Sequence, residues 1–278
     1  RFVTNKGQLW SAYCLLQAVD IGPIVVLCSD YHVMFFCLVQ LQDPMAEFSL
    51  VNQDAGDFMA RSVAEEKQTA RLNQEFRDAQ SPVFQTITNK VCDCGYIGNS
   101  WTTRNEAVVM IKHLRLMPSH DLLDIGAGAG WPGLYLAQQT GCAVTLLDLP
   151  ETGLRLAQAR AETDGMTSQL STIQGDAADM PLPSESFTAI SHSDVLCCLE
   201  DKLTVLQECR RVINADGRMC FTVIRLADGL KGTAMERAVK AGPEFIHSET
   251  HYPSMLQSAG WQIIQQDDIT GAFCASIE

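Results

Sequence analysis

The sequence lacks a run of 18 to 20 apolar residues, a C-x-x-C pair and a Lys/Arg-rich stripe. The first absence argues against a membrane-spanning helix. The second argues against the common zinc frameworks. Acid outnumbers base by 33 to 20, a net charge of -13, so no electrostatic footprint for nucleic acid is present and the partner expected is a small molecule. The eleven cysteines are scattered, and the close pairs Cys92/Cys94 and Cys197/Cys198 lack metal-ligand spacing. They read as reduced thiols of a cytoplasmic protein, with no metal, no nucleic acid and no membrane among its partners.

What is present is organised around residues 121–137, Asp-Leu-Leu-Asp-Ile-Gly-Ala-Gly-Ala-Gly-Trp-Pro-Gly-Leu-Tyr-Leu-Ala. An apolar run ending in glycines, then a proline where a first helical turn would begin, spells strand, tight turn and helix. Glycines at 126, 128 and 130 allow positive φ and let a ligand lie against the main chain, facing the N–H groups of the helix start. Asp124 is a charge in an apolar strand and needs a donor, from the loop or from a bound ammonium. Gly128-Ala-Gly130-Trp-Pro-Gly133 also satisfies G-x-G-x-x-G, with Asp148 at the distance of a ribose-binding acid, so a dinucleotide reading stands beside any other at this point.

The remaining chain repeats strand and helix. Strands are expected at 143–147, 170–174, 187–191, 218–224 and 261–267, and helices at 151–163, 201–213 and 250–259, with Asp216-Gly217 turning into the strand at 218. This alternation predicts an α/β doubly wound, mostly parallel sheet flanked by helices, with ligand at the carboxyl ends of its strands. Asp148, Asp176 and Ser191–Asp194 fall at such ends. Upstream, an amphipathic helix over 55–79, a second over 83–91 and a third over 104–116 form an N-terminal helical cap. The expected division is 1–44 as an extension outside the core, with Met45 as the native start, 45–117 as the cap and 118–278 as the Rossmann-like domain.

Several ordered blocks between about 90 and 268 resemble the class I, Rossmann-like S-adenosylmethionine-dependent methyltransferases, in their type 11 small-molecule branch. Asp124 followed by Gly126-x-Gly128-x-Gly130 resembles the family's first motif. Gly175-Asp176-Ala177 with Met180-Pro-Leu-Pro183 and Phe187 resembles its third-strand block and the turn beyond it. Leu206–Val223 resembles the family's "RVLKPGG" helix-turn-strand, with Asn-Ala-Asp in place of Lys-Pro-Gly. The resemblance implies transfer of a methyl group from S-adenosyl-L-methionine to a small-molecule acceptor, leaving S-adenosyl-L-homocysteine. The cofactor residues implied are Asp124, Gly126, Ala127, Gly128, Gly130, Asp148, Leu149, Asp176, Ala177 and Ser191, with Trp101 brought in by the cap.

Tyr96, His247 and His251 are then the expected acceptor contacts, and His192, at the end of the fourth strand of that domain, the expected base. Ser191–Lys202 resembles the "S-x-D-x-x-L-H" stretch of small-amine methyltransferases, but Cys198 stands where those enzymes have histidine, and this leaves the acceptor open. The rival readings are an NAD(P)-dependent oxidoreductase and a cofactor-binding protein without catalysis. In this family a seventh strand forms a hairpin with the sixth, and none is apparent after 268. The open edge suggests C-terminal truncation or pairing with a second copy in a homodimer.

Overall fold

The structure, a computed structural model, describes residues 30–40, 62–97 and 102–277. Its chain order is β1 (Tyr31–Gln40), α1 (Val63–Asp78), α2 (Pro82–Cys92), α3 (Arg104–Leu114), β2 (Asp121–Ile125), α4 (Gly133–Thr140), β3 (Ala143–Asp148) and α5 (Glu151–Thr163). There follow β4 (Leu170–Gln174), β5 (Phe187–Ser193), a 3-10 turn at Leu196–Cys198, α6 (Lys202–Val212), β6 (Ile213–Leu226), α7 (Gly232–Ala241), α8 (Tyr252–Ser258), β7 (Trp261–Asp268) and α9 (Thr270–Ile277).

The elements form where local chemistry stops the alternatives. Ser62 and Glu65 make a reciprocal capping box that opens α1, and Thr103 with Glu106 does the same for α3. Pro82 stands in the first turn of α2, where its missing N–H costs nothing. Gly141, at φ +76°, ends α4 in the left-handed conformation. Among the described residues no helix is long and apolar enough to cross a membrane.

Seven strands lie in the order β4-β3-β2-β5-β6-β1-β7. The pairs β4-β3, β3-β2, β2-β5 and β5-β6 are parallel, and β1 runs antiparallel to both β6 and β7. The expected doubly wound sheet is therefore present, but its antiparallel strand comes from the first 44 residues. Tyr-His-Val-Met-Phe-Phe-Cys-Leu-Val-Gln carries no Asp, Glu, Lys or Arg and is buried on both faces, the pattern of a central strand. The expectation that 1–44 lies outside the core is corrected for these residues, as its apolar run fills the slot between β6 and β7.

That slot is the one left open by the missing seventh strand. With β1 in it, the reasoning that led to pairing with a second copy no longer applies there, and residues 270–277 form a helix that packs on β1. Both ends of β1 are fastened. Asp30 pairs with Arg237 at 2.7 Å, and the Tyr31 hydroxyl donates to the Ala238 carbonyl at 2.7 Å. At the other end Gln40 Nε2 donates to the Ile213 carbonyl at 3.1 Å.

The expected turn at Asp216-Gly217 lies inside β6. Ile213 pairs with Phe187 and Arg218 with Ala189, so residues 214–217 bulge from the ladder. Among the described residues eight cysteines are free thiols, while Cys274 is disulfide-bonded, so the reduced-thiol reading does not extend to that position.

Phe36, about 1% exposed, stacks on Phe221 with ring centroids 5.0 Å apart. Phe36→Ala should lower the unfolding free energy by about 3–5 kcal/mol, the usual cost of emptying a buried aromatic site. Urea denaturation checks this, and a loss below about 1 kcal/mol would place β1 outside the core.

Candidate functional site

The carboxyl ends of β2, β3, β4 and β5 open into one cleft, enclosing about 1070 Å³ of empty space with its mouth included. Asp124 is buried beneath it, 1% exposed. Its Oδ1 accepts from the Ser191 hydroxyl at 2.6 Å, and its Oδ2 from the Gly133 amide at 3.1 Å. A Cβ on Gly133 would come within 2.5 Å of that oxygen, so the glycine makes room for the carboxylate. Asp124 and Ser191 therefore hold the site's floor together and do not themselves line the cleft.

The loop between β2 and α4 takes positive φ at Gly126 (+62°), Gly128 (+52°) and Gly130 (+96°). Gly126, Ala127 and Gly128 line the cleft, and a Cβ at Gly126 would run into Val195. Gly130 lies outside the lining and serves packing, since a Cβ there would approach Leu134 to 2.5 Å. At the end of β3, Asp148 Oδ2 accepts from the Gly128 amide at 2.7 Å, while Oδ1 accepts from its neighbour Leu149 at 2.8 Å. Leu149 and Ala177 line the cleft. Asp176 does not, and its Oδ1 accepts from the Ala178 amide at 2.9 Å.

The expected acceptor contacts separate. Tyr96 lines the cleft, its ring 5.2 Å from that of Trp131 and covered by the Arg160 guanidinium at 4.1 Å. His247 and His251 are exposed and lie outside the cleft lining. Trp101 falls outside the described residues.

The reading of His192 as a base is corrected. Its ring is 1% exposed and stacks on Phe221 at 4.4 Å, both of its nitrogens lack partners, and burial pushes its pKa down to about 3. The reason is strand parity. Ser191 faces Asp124, Ser193 follows on the same face and reaches the cleft, and His192 between them points to the other side.

Sequence reasoning missed the wall opposite the strands. Gln68, Thr69, Leu72 and Phe76 of α1 line the cleft, as does Cys198 beyond β5, next to Ser193 and Asp194 of the strand end that the sequence had placed there. Leu72 and Phe76 were visible as part of an amphipathic stripe, but the pattern does not say whether such a stripe faces core or ligand. Helix α1 is tied to the cofactor side by the Thr152 amide, which donates to Asn73 Oδ1 at 3.2 Å.

Residues 123–221 match the family described as Methyltransferase domain. A methyltransferase of Streptomyces halstedii is 25% identical over 169 residues, covering 58% of this chain and 59% of that protein. The 27-O-demethylrifamycin SV methyltransferase of Amycolatopsis mediterranei is 26% identical over 202 residues, 69% of this chain and 74% of the relative. The geranyl diphosphate C-methyltransferase of Streptomyces coelicolor A3(2), solved with Mg2+, geranyl diphosphate and S-adenosyl-L-homocysteine, shares the fold with a TM-score of 0.53 at 15% identity, over 72% of this chain and 78% of that one. The chain spans less than two thirds of the length of several relatives it matches.

Burial raises the Asp124 carboxyl to about 7 and the Asp148 carboxyl to about 6, from an ordinary 3.8. The folded protein thus retains protons that the unfolded chain releases. This contribution to stability is complete below the ordinary value of 3.8 and is lost as pH rises through the folded values of about 6 and 7. The ligand-free protein should unfold at lower urea concentration at pH ~8 than at pH ~5, and Asp124→Asn, which cannot ionise, should narrow the difference. A difference of equal size in wild type and variant would remove Asp124 from this account.

Proposed function

We propose that this chain, whose residues 123–221 match the Methyltransferase domain family, is a class I, Rossmann-like S-adenosylmethionine-dependent methyltransferase acting on a small molecule. The observation that carries this reading is the junction at the ends of β2 and β3, where the glycine loop and Asp148 face one cleft above the buried Asp124.

The residues present fit the cofactor. Gly126 and Gly128, both at positive φ and in the cleft lining, present bare backbone on which the methionine end can lie, while a Cβ there would collide with Val195 or crowd Phe76. Asp148, raised to about 6 by burial, offers two oxygens that gain from the hydroxyl donors of a ribose. Leu149 and Ala177 would flank the adenine, with Asp176 beside Ala177 for its amino group. The Tyr96 hydroxyl is buried in the lining without a partner. Bound there, the group supplies an electrophilic sulfonium methyl.

The chain's own residues have to align the acceptor and keep water out. Leu72, Phe76, Trp131 and Leu199 give the cleft apolar walls. Among the described residues the lining includes the carboxylates of Asp148 and Asp194 and no Lys, Arg or His. The two carboxylates favour a cationic ligand over an anionic one, so the acceptor we propose is neutral or cationic. Asp194, in the lining just past β5, takes over from His192 as the candidate proton acceptor. A cytoplasmic setting goes with this reading and is supported by the eight free thiols.

The oxidoreductase alternative rests on the G-x-G-x-x-G spacing alone, and the relatives reported above are methyltransferases. The cofactor-binding protein without catalysis differs from the proposal only in turnover with an acceptor.

Calorimetric titration should show S-adenosyl-L-homocysteine binding and no binding of NAD or NADP. Asp148→Ala should weaken that binding by at least ~10-fold, about 1.4 kcal/mol. Binding of NAD in place of S-adenosyl-L-homocysteine would overturn the assignment. Because ribose hydroxyls stabilise the ionised form of Asp148, whose free pKa is about 6, affinity should rise between pH ~5 and ~7 with release of a proton. Titration in two buffers of different ionisation enthalpy reads that proton, and Asp148→Asn should abolish its release.

A further inference from the structure

On the β5 side of the cleft two buried polar atoms have no hydrogen-bond partner among the described residues. Gln68 on α1 is 9% exposed, and its Nε2 donates to the Cys198 carbonyl at 2.6 Å. That bond fixes the amide's orientation, because only the nitrogen can face a carbonyl, and it leaves Oε1 as a pure acceptor. Oε1 is buried without a partner, and so is the Ser193 hydroxyl oxygen. Both residues line the cleft. A buried acceptor left unpaired is costly, and a ligand able to donate to it removes that cost.

The sheet order shows which ligand this is. Asp148 and Ala177 mark the ends of β3 and β4, on one side of β2 and its glycine loop. Gln68, Ser193 and Cys198 cluster at the end of β5, on the other side of β2. The orphaned atoms thus belong to the half of the cleft away from the ribose position. Around them Leu72, Val195 and Leu199 make the wall apolar.

We propose that Gln68 selects the acceptor: its Oε1 takes a hydrogen bond from an O–H or N–H on a small molecule with an apolar body, with the Ser193 hydroxyl as the second polar contact. This rests on the cofactor reading above and adds the acceptor's chemical class, an apolar alcohol, phenol or amine. A group that donates its hydrogen to Gln68 keeps a lone pair on the same heteroatom, so the contact also orients that atom. An acceptor whose last O–H or N–H hydrogen has been replaced by methyl cannot make the contact, so Gln68 separates an alcohol, phenol or amine that still has a donor from its fully methylated form.

The test uses the full chain saturated with S-adenosyl-L-homocysteine and two pairs of probes matched in their apolar body: phenol with anisole, and aniline with N,N-dimethylaniline. Binding is followed by protein-observed NMR. Phenol and aniline should bind at least ~10-fold more tightly than their methylated partners, since a site built around an acceptor rejects ligands without the donor. In Gln68→Met the preference should fall to about 2-fold or less, with affinity for S-adenosyl-L-homocysteine unchanged. Gln68→Glu, which keeps an acceptor oxygen, should retain the preference.

Equal binding of phenol and anisole, binding of none of the four, or a preference that survives in Gln68→Met would each overturn the proposal. So would a loss of S-adenosyl-L-homocysteine affinity in Gln68→Met, which would assign the amide to the cofactor. If the wild type does not bind S-adenosyl-L-homocysteine, it is the cofactor reading that fails, and the same probe comparison on the ligand-free protein still decides the role of Gln68.

Discussion

The arrangement of the site depends on one buried carboxylate. Asp124 sits in the middle of the parallel part of the sheet, and a charge there must find donors or stay protonated. It finds two, the Ser191 hydroxyl on the neighbouring β5 and the Gly133 amide at the start of α4. The same side chain thereby fixes the spacing of two strands and the direction in which the glycine loop leaves β2. Its raised pKa of about 7 shows that these bonds offset only part of the cost of burial. Removing Ser191 or crowding Gly133 would disturb the loop without touching any atom that faces the cleft.

A second dependence runs across the sheet. Phe36 of β1, Phe221 of β6, His192 of β5 and Ile125 of β2 occupy one register row. The rings of His192 and Phe221 stack at 4.4 Å, and those of Phe221 and Phe36 at 5.0 Å. With its pKa near 3, His192 is neutral in this row at any pH the fold is expected to tolerate and acts as a flat aromatic spacer. Packing thus continues from the first described strand to the strand that carries the site. A strand supplied from early in the chain is thereby in register, through β6 and β5, with Ile125 of β2, which lies more than eighty residues later.

How much of this was legible follows from which forces act locally. The glycine loop, Asp148 and the strand–helix alternation are written in short windows, because turn geometry and hydrophobic period are properties of neighbours in sequence. The role of residues 31–40 was not, although their uncharged apolar run was visible. Nothing within the run says that its pairing partners are β6 and β7, and its distance from them in sequence suggested an appendage. His192 was misread for a smaller reason, a shift of one residue in a period of two. Position at a strand end was right, but the face was wrong, and Ser193 and Asp194 held the places facing the cleft. Gln68 left no signal at all, since a glutamine on a helix is ordinarily a solvated residue.

The two halves of the cleft therefore come from differently constrained parts of the chain. The glycine loop, Asp148 and Ala177 fall within residues 123–221, the stretch that matches the methyltransferase-domain family, and in the proposed reading they meet the cofactor. Gln68, Thr69, Leu72 and Phe76 lie on α1, upstream of that stretch. Helix α1 lies across the strand ends, where Gln68 Nε2 donates to the Cys198 carbonyl, Asn73 Oδ1 accepts from the Thr152 amide and Phe76 packs by Gly128, so its remaining inward residues, Thr69 and Leu72, can change with these contacts kept. In the proposed reading the sheet's loop and Asp148 hold the cofactor while Gln68 on α1 meets the acceptor, so the two ligands are recognised by separate parts of the chain.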